Sequence, residues 1–167
     1  IVSKIDTASA VYKKNHAAMS EKVKILHAKV QKARFARPER DIERLRRQKK
    51  LTVRERLDLL LDPGTPFLEL STLAANKAYE GEVPGAGQVS GIGILHGREV
   101  ITHADDPSIK GGAWYPLSVK KIVRTLDIAI ENRLPVIHLC DSAGGFLSLQ
   151  SDLFPDKHAA GRIFRNQ

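Results

Sequence analysis

Five residues, Asp141-Ser142-Ala143-Gly144-Gly145, follow an apolar run from Leu134 to Cys140 and lead into Phe146-Leu147. When a buried strand ends at two adjacent glycines and turns toward a helix, its backbone N–H groups can face a cavity with no Cβ in the way. Donors of that kind are fixed before charge develops, so they lose little on reorganisation when they bind an oxyanion. Gly144 and Gly145 are therefore the candidate oxyanion donors. A serine nucleophile at Ser142 would require G-x-S-x-G, and Cys140 fills the first glycine position. No histidine is placed by sequence to serve as its base, and His138 reads as a hydrogen-bonded core residue of the strand. A turn that only permits close packing is the remaining reading of this stretch taken alone.

The elements that must position the turn follow from periodicity. Val119, Ile122, Val123, Leu126 and Ile130 share one helical face within "LSVKKIVRTLDIAIENR", as in a helix crossing a sheet. Leu134 to Cys140 is apolar on both faces, the pattern of a strand covered by helices. Thr52 and Glu55 form a T-x-x-E capping box, which opens a helix over about 53–61 that "DPGTP" terminates. "FLEL" reads as a short strand. Six of the twelve glycines lie between Gly81 and Gly97, and they feed a hairpin of strands 88–95 and 98–104 joined at His96-Gly97. Gly85-x-Gly87 does not make a dinucleotide-binding loop, because a strand follows it where a helix would be required. The sum is an α/β fold.

Charge divides the chain. Residues 1–50 hold 15 Lys and Arg against five acids, net +10, whereas residues 51–167 hold 12 against 14, net −2. Met19, Val23, Leu26 and Val30 follow one helical face, and Pro38 can occupy the first position of a second helix. Only Tyr12 and Phe35 could stack on bases in this region, so a helical pair packed on protein is expected, with no nucleic-acid partner. Cys140 is the single cysteine, which excludes an internal disulfide and a four-cysteine zinc site, and no metal-ligand set is assigned. No run approaches the ~20 apolar residues of a membrane helix. A soluble intracellular protein without membrane partners is expected, and the chain, starting at Ile1, is expected to be a piece of something longer.

The order and spacing of "RERLDLLLDPGTPFLEL", "VSGIGILHGREV", "KGGAWYP", "DSAGG" and "FPDKHAAGRIFRNQ" resemble the carboxyltransferase β subunits of biotin-dependent acyl-CoA carboxylases. "KGG-x-Y-P" is most similar to the methylcrotonyl-CoA and geranyl-CoA branch. The resemblance implies a crotonase-like (ClpP/crotonase) fold of ββα units. Residues 1–50 would be a basic helical segment, and 51–167 the first, incomplete part of the N-terminal carboxyltransferase domain. It implies carboxyl transfer from carboxybiotin to an acyl-CoA such as 3-methylcrotonyl-CoA, through an enolate held by backbone oxyanion sites. Biotin would arrive on a biotin carrier subunit, ATP would be used only by the partner biotin carboxylase, and the β subunits would form a homo-hexamer. Ser142, Ala143 and Phe146 would contact the acyl-CoA. Lys110-Gly111-Gly112 and the Gly81–Gly93 segment, which combine a cation with exposed backbone, would help to hold it. The implied location is the bacterial cytoplasm or mitochondrial matrix.

The sequence departs from the family at the turn itself, which usually reads Asp-Ser-Gly-Gly-Ala. Ser148 replaces a usual proline, and Ala36-Arg37-Pro38 replaces a Gly-rich element. Two functions of different kinds fit: a carboxyltransferase subunit, inactive as this chain alone, or a non-catalytic paralogue or fragment serving assembly. A crotonase-type hydratase or isomerase is the third. No acidic pair is placed for water addition, and Asp105-Asp106 reads as a turn or capping pair.

Overall fold

The computed structural model describes residues 3–167. The chain divides into two compact units at Ala36/Arg37. In the first, helix α1 (Ala10–Phe35) is capped by Ser9, whose hydroxyl accepts from the Tyr12 N–H. No residue of α1 is buried, and Met19, Val23 and Leu26 are exposed. The apolar stripe expected from their spacing is present on the helix but covered by nothing in this unit.

The second unit begins with α2 (Glu39–Arg47), which buries Leu45. Pro38 is the residue before this helix rather than its first residue. Then follow α3 (Val53–Leu60), β1 (Leu68–Leu70), β2 (Gln88–Leu95), β3 (Arg98–Asp105), α4 (Pro116–Asn132), β4 (Val136–Leu139) and α5 (Ala160–Asn166). The capping box that opens α3 is formed on both sides, with the Thr52 hydroxyl accepting from Glu55 N–H and the Glu55 carboxylate accepting from Thr52 N–H. Helix α3 stops at Leu60, one residue short of expectation, where Leu61 turns to extended backbone ahead of Asp62-Pro63.

The sheet order is β1-β2-β3-β4, antiparallel for the first two pairings and parallel for the last. The hairpin turns at His96 and Gly97, both left-handed at φ 50° and 74°, as a two-residue loop between twisted strands requires. Asp62 accepts the N–H groups of both residues, at 2.8 Å each.

Alternation along the strands separates two faces. Val89, Ala104 and Leu139 face Val53 and Leu57 of α3, with Phe67. Gly91 and Gly93 are glycines because a Cβ would collide with the Phe67 ring and with Leu61, respectively. On the other face, Val119, Ile122 and Leu126 of α4 pack with Ile163 of α5 and with Val136.

Two expectations need correction. Ile130 is 55% exposed, because the buried stripe of α4 is instead completed by Ser118, Lys121, Thr125 and Ala129. Of the Gly81–Gly93 segment, expected to offer exposed backbone, Gly81 is exposed but the Gly85–Gly87 turn is buried. Its carbonyls are taken: Gly85 O by Lys121 Nζ at 2.9 Å, Ala86 O by Ser118 Oγ at 2.7 Å, and Gly87 O by Asp106 N–H at 3.0 Å.

Candidate functional site

Because β3 and β4 run parallel, their C-terminal ends lie side by side, and the loops that leave them meet. The first loop carries Lys110–Gly112 in a short helical turn, and the second is Asp141–Phe146. Four hydrogen bonds join them. Ala143 N–H donates to Gly111 O at 3.1 Å, Ser142 Oγ–H to Gly112 O at 2.7 Å, Trp114 N–H to Gly144 O at 2.8 Å, and Phe146 N–H to Trp114 O at 2.8 Å. The last two make a parallel bridge between Trp114 and Gly145. The fold thus brings together two segments singled out separately in the sequence, "KGG" and "SAGGF".

Each expected residue has a distinct place in this joint. Gly144 adopts φ +92° with open space where a Cβ would stand, but its N–H donates to Ser142 Oγ at 3.0 Å. Ser142 is therefore a clip between Gly112 and Gly144, and no histidine pairs with its hydroxyl among the described residues. Gly145 N–H points away from Trp114, since alternate amides of a paired strand face opposite edges. It has no acceptor among the described residues. A Cβ at Gly145 would lie 3.1 Å from Leu153 Cδ1, so that side of the residue is packed. Ala143 is exposed over Gly111. Phe146 stacks on Tyr115, with centroids 4.6 Å apart, and Tyr79 tilts against Tyr115 at 4.7 Å, which gives the turn an aromatic floor. Lys110 is ion-paired with Glu82 at 2.5 Å, and the Glu82 hydrogen bond raises its pKa.

Basic side chains near the start of the second unit reach the same loops. Arg37 donates from Nε and a terminal nitrogen to Asp106 Oδ2 at 3.1 and 2.9 Å, and Arg44 donates to Pro107 O at 3.0 Å. Lys50 pairs with Asp141 at 2.6 Å. These three cations pack on protein.

Several contributors were not foreseen. Asp106 does form a turn contact, accepting from Ser108, but Asp105 is no capping residue: it is buried and accepts from three elements. Trp114 bridges to the turn, and its being the chain's single tryptophan within the glycine-rich loop was the available signal. Lys121 lies on the buried face of α4, where desolvation lowers its pKa to about 8.

His138 corrects a further expectation. Its side chain makes no hydrogen bond among the described residues, its Nε2 is buried without a partner, and its ring meets His103 edge-on at 5.7 Å. Burial lowers the pKa of both rings, that of His103 to about 3 with smaller contributions from His138 and Lys121. Two like rings side by side, one of them fully buried, favour the neutral form. Cys140 is exposed.

The arrangement is therefore a strand-end turn, locked by a neighbouring glycine loop, in which the N–H groups of Ser142 and Gly145 have no acceptor among the described residues. Among the described residues, no side-chain nucleophile and base are assembled around it. Among the described residues, one surface cleft away from the turn is lined by α4 with Asp152 and His158, and another by His138 and Asn166. The turn itself is an open shelf.

The mixed sheet with a helix crossing between parallel strands is shared with carboxyltransferase subunits of crotonase-like fold. The chain belongs to the carboxyl transferase domain family, whose family model matches residues 44–167. It is similar to the mitochondrial methylcrotonoyl-CoA carboxylase beta chain of Arabidopsis thaliana, 42% identical over 163 residues, 98% of this chain and 28% of that protein. Its structure superimposes on the beta subunit of geranyl-CoA carboxylase from P. aeruginosa with TM-score 0.75 and 34% identity, covering 99% of this chain and 31% of that one. The transcarboxylase 12S structure, described for hexamer assembly and for substrate binding with methylmalonyl-coenzyme A and methylmalonic acid bound, matches with TM-score 0.70 and 29% identity over 80% of this chain and 27% of that one. The chain thus spans under a third of the length of these relatives.

Proposed function

We propose that the protein carrying this chain transfers a carboxyl group to an acyl-CoA, with Gly145 N–H as one hydrogen-bond donor to the thioester oxygen. The observation that carries this reading is the unmatched Gly145 amide, held on an open shelf by the joint between the two loops. Removing an α or γ proton from an acyl-CoA places negative charge on the thioester oxygen, and a donor fixed beforehand stabilises that charge. Gly144, the other expected donor, is committed to Ser142, so Gly145 is the one of the two glycines whose N–H is available. Further donors would come from outside this chain.

Carboxybiotin, delivered by a biotin carrier and recharged by an ATP-using biotin carboxylase, supplies the carboxyl group. No residue described here is assigned to biotin: the Gly145 donor is assigned to the thioester oxygen. A branched, unsaturated acyl group such as 3-methylcrotonyl fits the names of the relatives. Assembly as a hexamer is supported by the transcarboxylase 12S likeness, and a mitochondrial or bacterial cytoplasmic location by the relatives' sources. In this reading residues 51–167 are the first part of the N-terminal carboxyltransferase domain, preceded by a basic helical segment over 1–50. The isolated 167-residue chain does not turn over.

The test compares Gly145→Ala, which keeps the N–H, with Gly145→Pro, which removes it, in the complete subunit with its partners. Loss of one oxyanion donor costs about 10²- to 10³-fold in turnover. A folded Pro variant that carboxylates 3-methylcrotonyl-CoA as fast as the Ala variant would refute the assignment. Lys110→Ala should raise the apparent constant for acyl-CoA, and an unchanged constant would remove Lys110 from the site.

A further inference from the structure

We infer that Asp105 is the positioning residue of this turn, gripping it at both ends and so fixing where Gly145 N–H points. The inference rests on the carboxyltransferase reading for its kinetic consequence only. Asp105 is the last residue of β3, one step past the final β3–β4 pair at Ala104 and Leu139. Strand alternation puts its side chain on the face of His103, under α4. It is 1% exposed and so cannot reach a substrate on the shelf.

Its two oxygens divide their work. Oδ1 accepts from Trp114 Nε1 at 2.8 Å and from Gln88 Nε2 at 3.3 Å, while Oδ2 accepts from the Asp141 N–H at 3.3 Å. Asp141 is where the turn begins. Trp114 is where it is tied off, because the Trp114 backbone bonds both Gly144 O and Phe146 N–H. The contacts therefore close a ring running from the carboxylate through the indole, across the Trp114–Gly145 bridge, and back along the turn to Asp141. Gly145 lies within that ring.

A carboxylate held out of water is costly unless its partners are well placed. The raised pKa of Asp105, caused first by its burial, shows that the cost is retained. Arg56 and the His138 ring are the other titratable groups facing it. A buried acid kept at that cost, with its donors on the two ends of one turn, is placed for geometry.

The test is Asp105→Asn in the complete subunit. The amide keeps the size and one acceptor, but it must present NH₂ to either the indole or the Asp141 N–H. One grip is lost. Turnover should fall ten- to a hundredfold while the apparent constant for acyl-CoA stays within about twofold. Trp114→Phe, which keeps an aromatic ring and removes only the indole donor, should act in the same direction and carries the test if Asp105→Asn does not fold. The double variant should be no worse than the poorer single one, since both cut one ring. Unchanged turnover in a folded variant, a rise in the constant alone, or additive losses would overturn the inference.

A readout independent of activity separates it from the function proposed above. Amide exchange at Ala143 and Phe146, whose N–H groups make the joint, should speed up at least tenfold in Asp105→Asn. If the wild-type subunit carboxylates nothing but exchange speeds up, Asp105 keeps its role and the reaction assignment falls. If exchange is unchanged, the positioning role is refuted whatever the reaction.

Discussion

Gly111 and Gly112 offer a controlled comparison, because neighbouring residues share a backbone conformation and differ in what a side chain would meet. Their φ values are +66° and +75°. An alanine at either position therefore carries the left-handed penalty of about 1–2 kcal/mol. At Gly111 the new Cβ would sit 3.7 Å from Ala143 Cβ, an ordinary contact, so Gly111→Ala should cost no more than that penalty. At Gly112 the new Cβ would overlap the Asp141 carbonyl oxygen and crowd Ser142 Cα at 3.2 Å. Both are backbone at the start of the turn, and neither can rotate aside. The turn must retreat, which releases the Ser142 Oγ to Gly112 O bond, the Ala143 N–H to Gly111 O bond and the Asp105 contact to Asp141 N–H. At roughly 1 kcal/mol each, these bring Gly112→Ala to about 4–5 kcal/mol. Urea unfolding followed by Trp114 emission measures both variants, and carboxyl-transfer kinetics on the complete subunit shows whether function follows. Costs within about 1 kcal/mol of each other would refute the joint as the element that holds the turn.

Further predictions come from buried charge and from capping. The unfolded chain keeps the Lys121 proton up to its ordinary 10.5, while the folded chain releases it from about 8. The unfolded state therefore binds more protons between those values, and stability rises with pH. The gain from this group should be about 1.5 kcal/mol between pH 8 and 9.5, and urea titrations of Lys121→Met should lack that slope; a Met variant with the wild-type slope would contradict the assignment. Thr52→Ala removes the acceptor for Glu55 N–H at the start of α3 and should cost about 1 kcal/mol, read from the urea midpoint. Glu55 is held down to a pKa of about 2, first by its hydrogen bond from Arg46 and then by those from Thr52. Because a depressed acid stabilises only while ionised, the Thr52→Ala penalty should shrink as pH falls from 4.5 toward 2.

The fold was legible where a local rule decided it. The capping box, the two-residue hairpin turn and the period of α4 each depend on contacts within a few residues, and they appear within a residue or two of expectation. The glycine turn was legible as a strand-end turn, because adjacent glycines after an apolar run continue neither strand nor helix well. Which of its amides is free was not, because that depends on Ser142 folding back onto its own turn and onto Gly112, 30 residues away. The buried role of Asp105 was hidden for the same reason: its donors come from positions 88, 114 and 141. Ile130 was misplaced because Lys121 and Thr125, polar by composition, take buried positions by finding carbonyl acceptors.

The central claim is that one amide of this chain, that of Gly145, receives the charge that develops on the acyl group. Amide exchange in the complete subunit, resolved to single residues across 142–147, measures it with and without a non-reactive enolate mimic of the acyl-CoA. Gly144 N–H, already bonded to Ser142, should exchange slowly in both states, whereas Gly145 N–H should exchange rapidly when free and slow by at least tenfold when the mimic binds. Exchange at Gly145 that ignores a bound mimic, or a slowing confined to Gly144, would show that the turn holds its shape for packing alone.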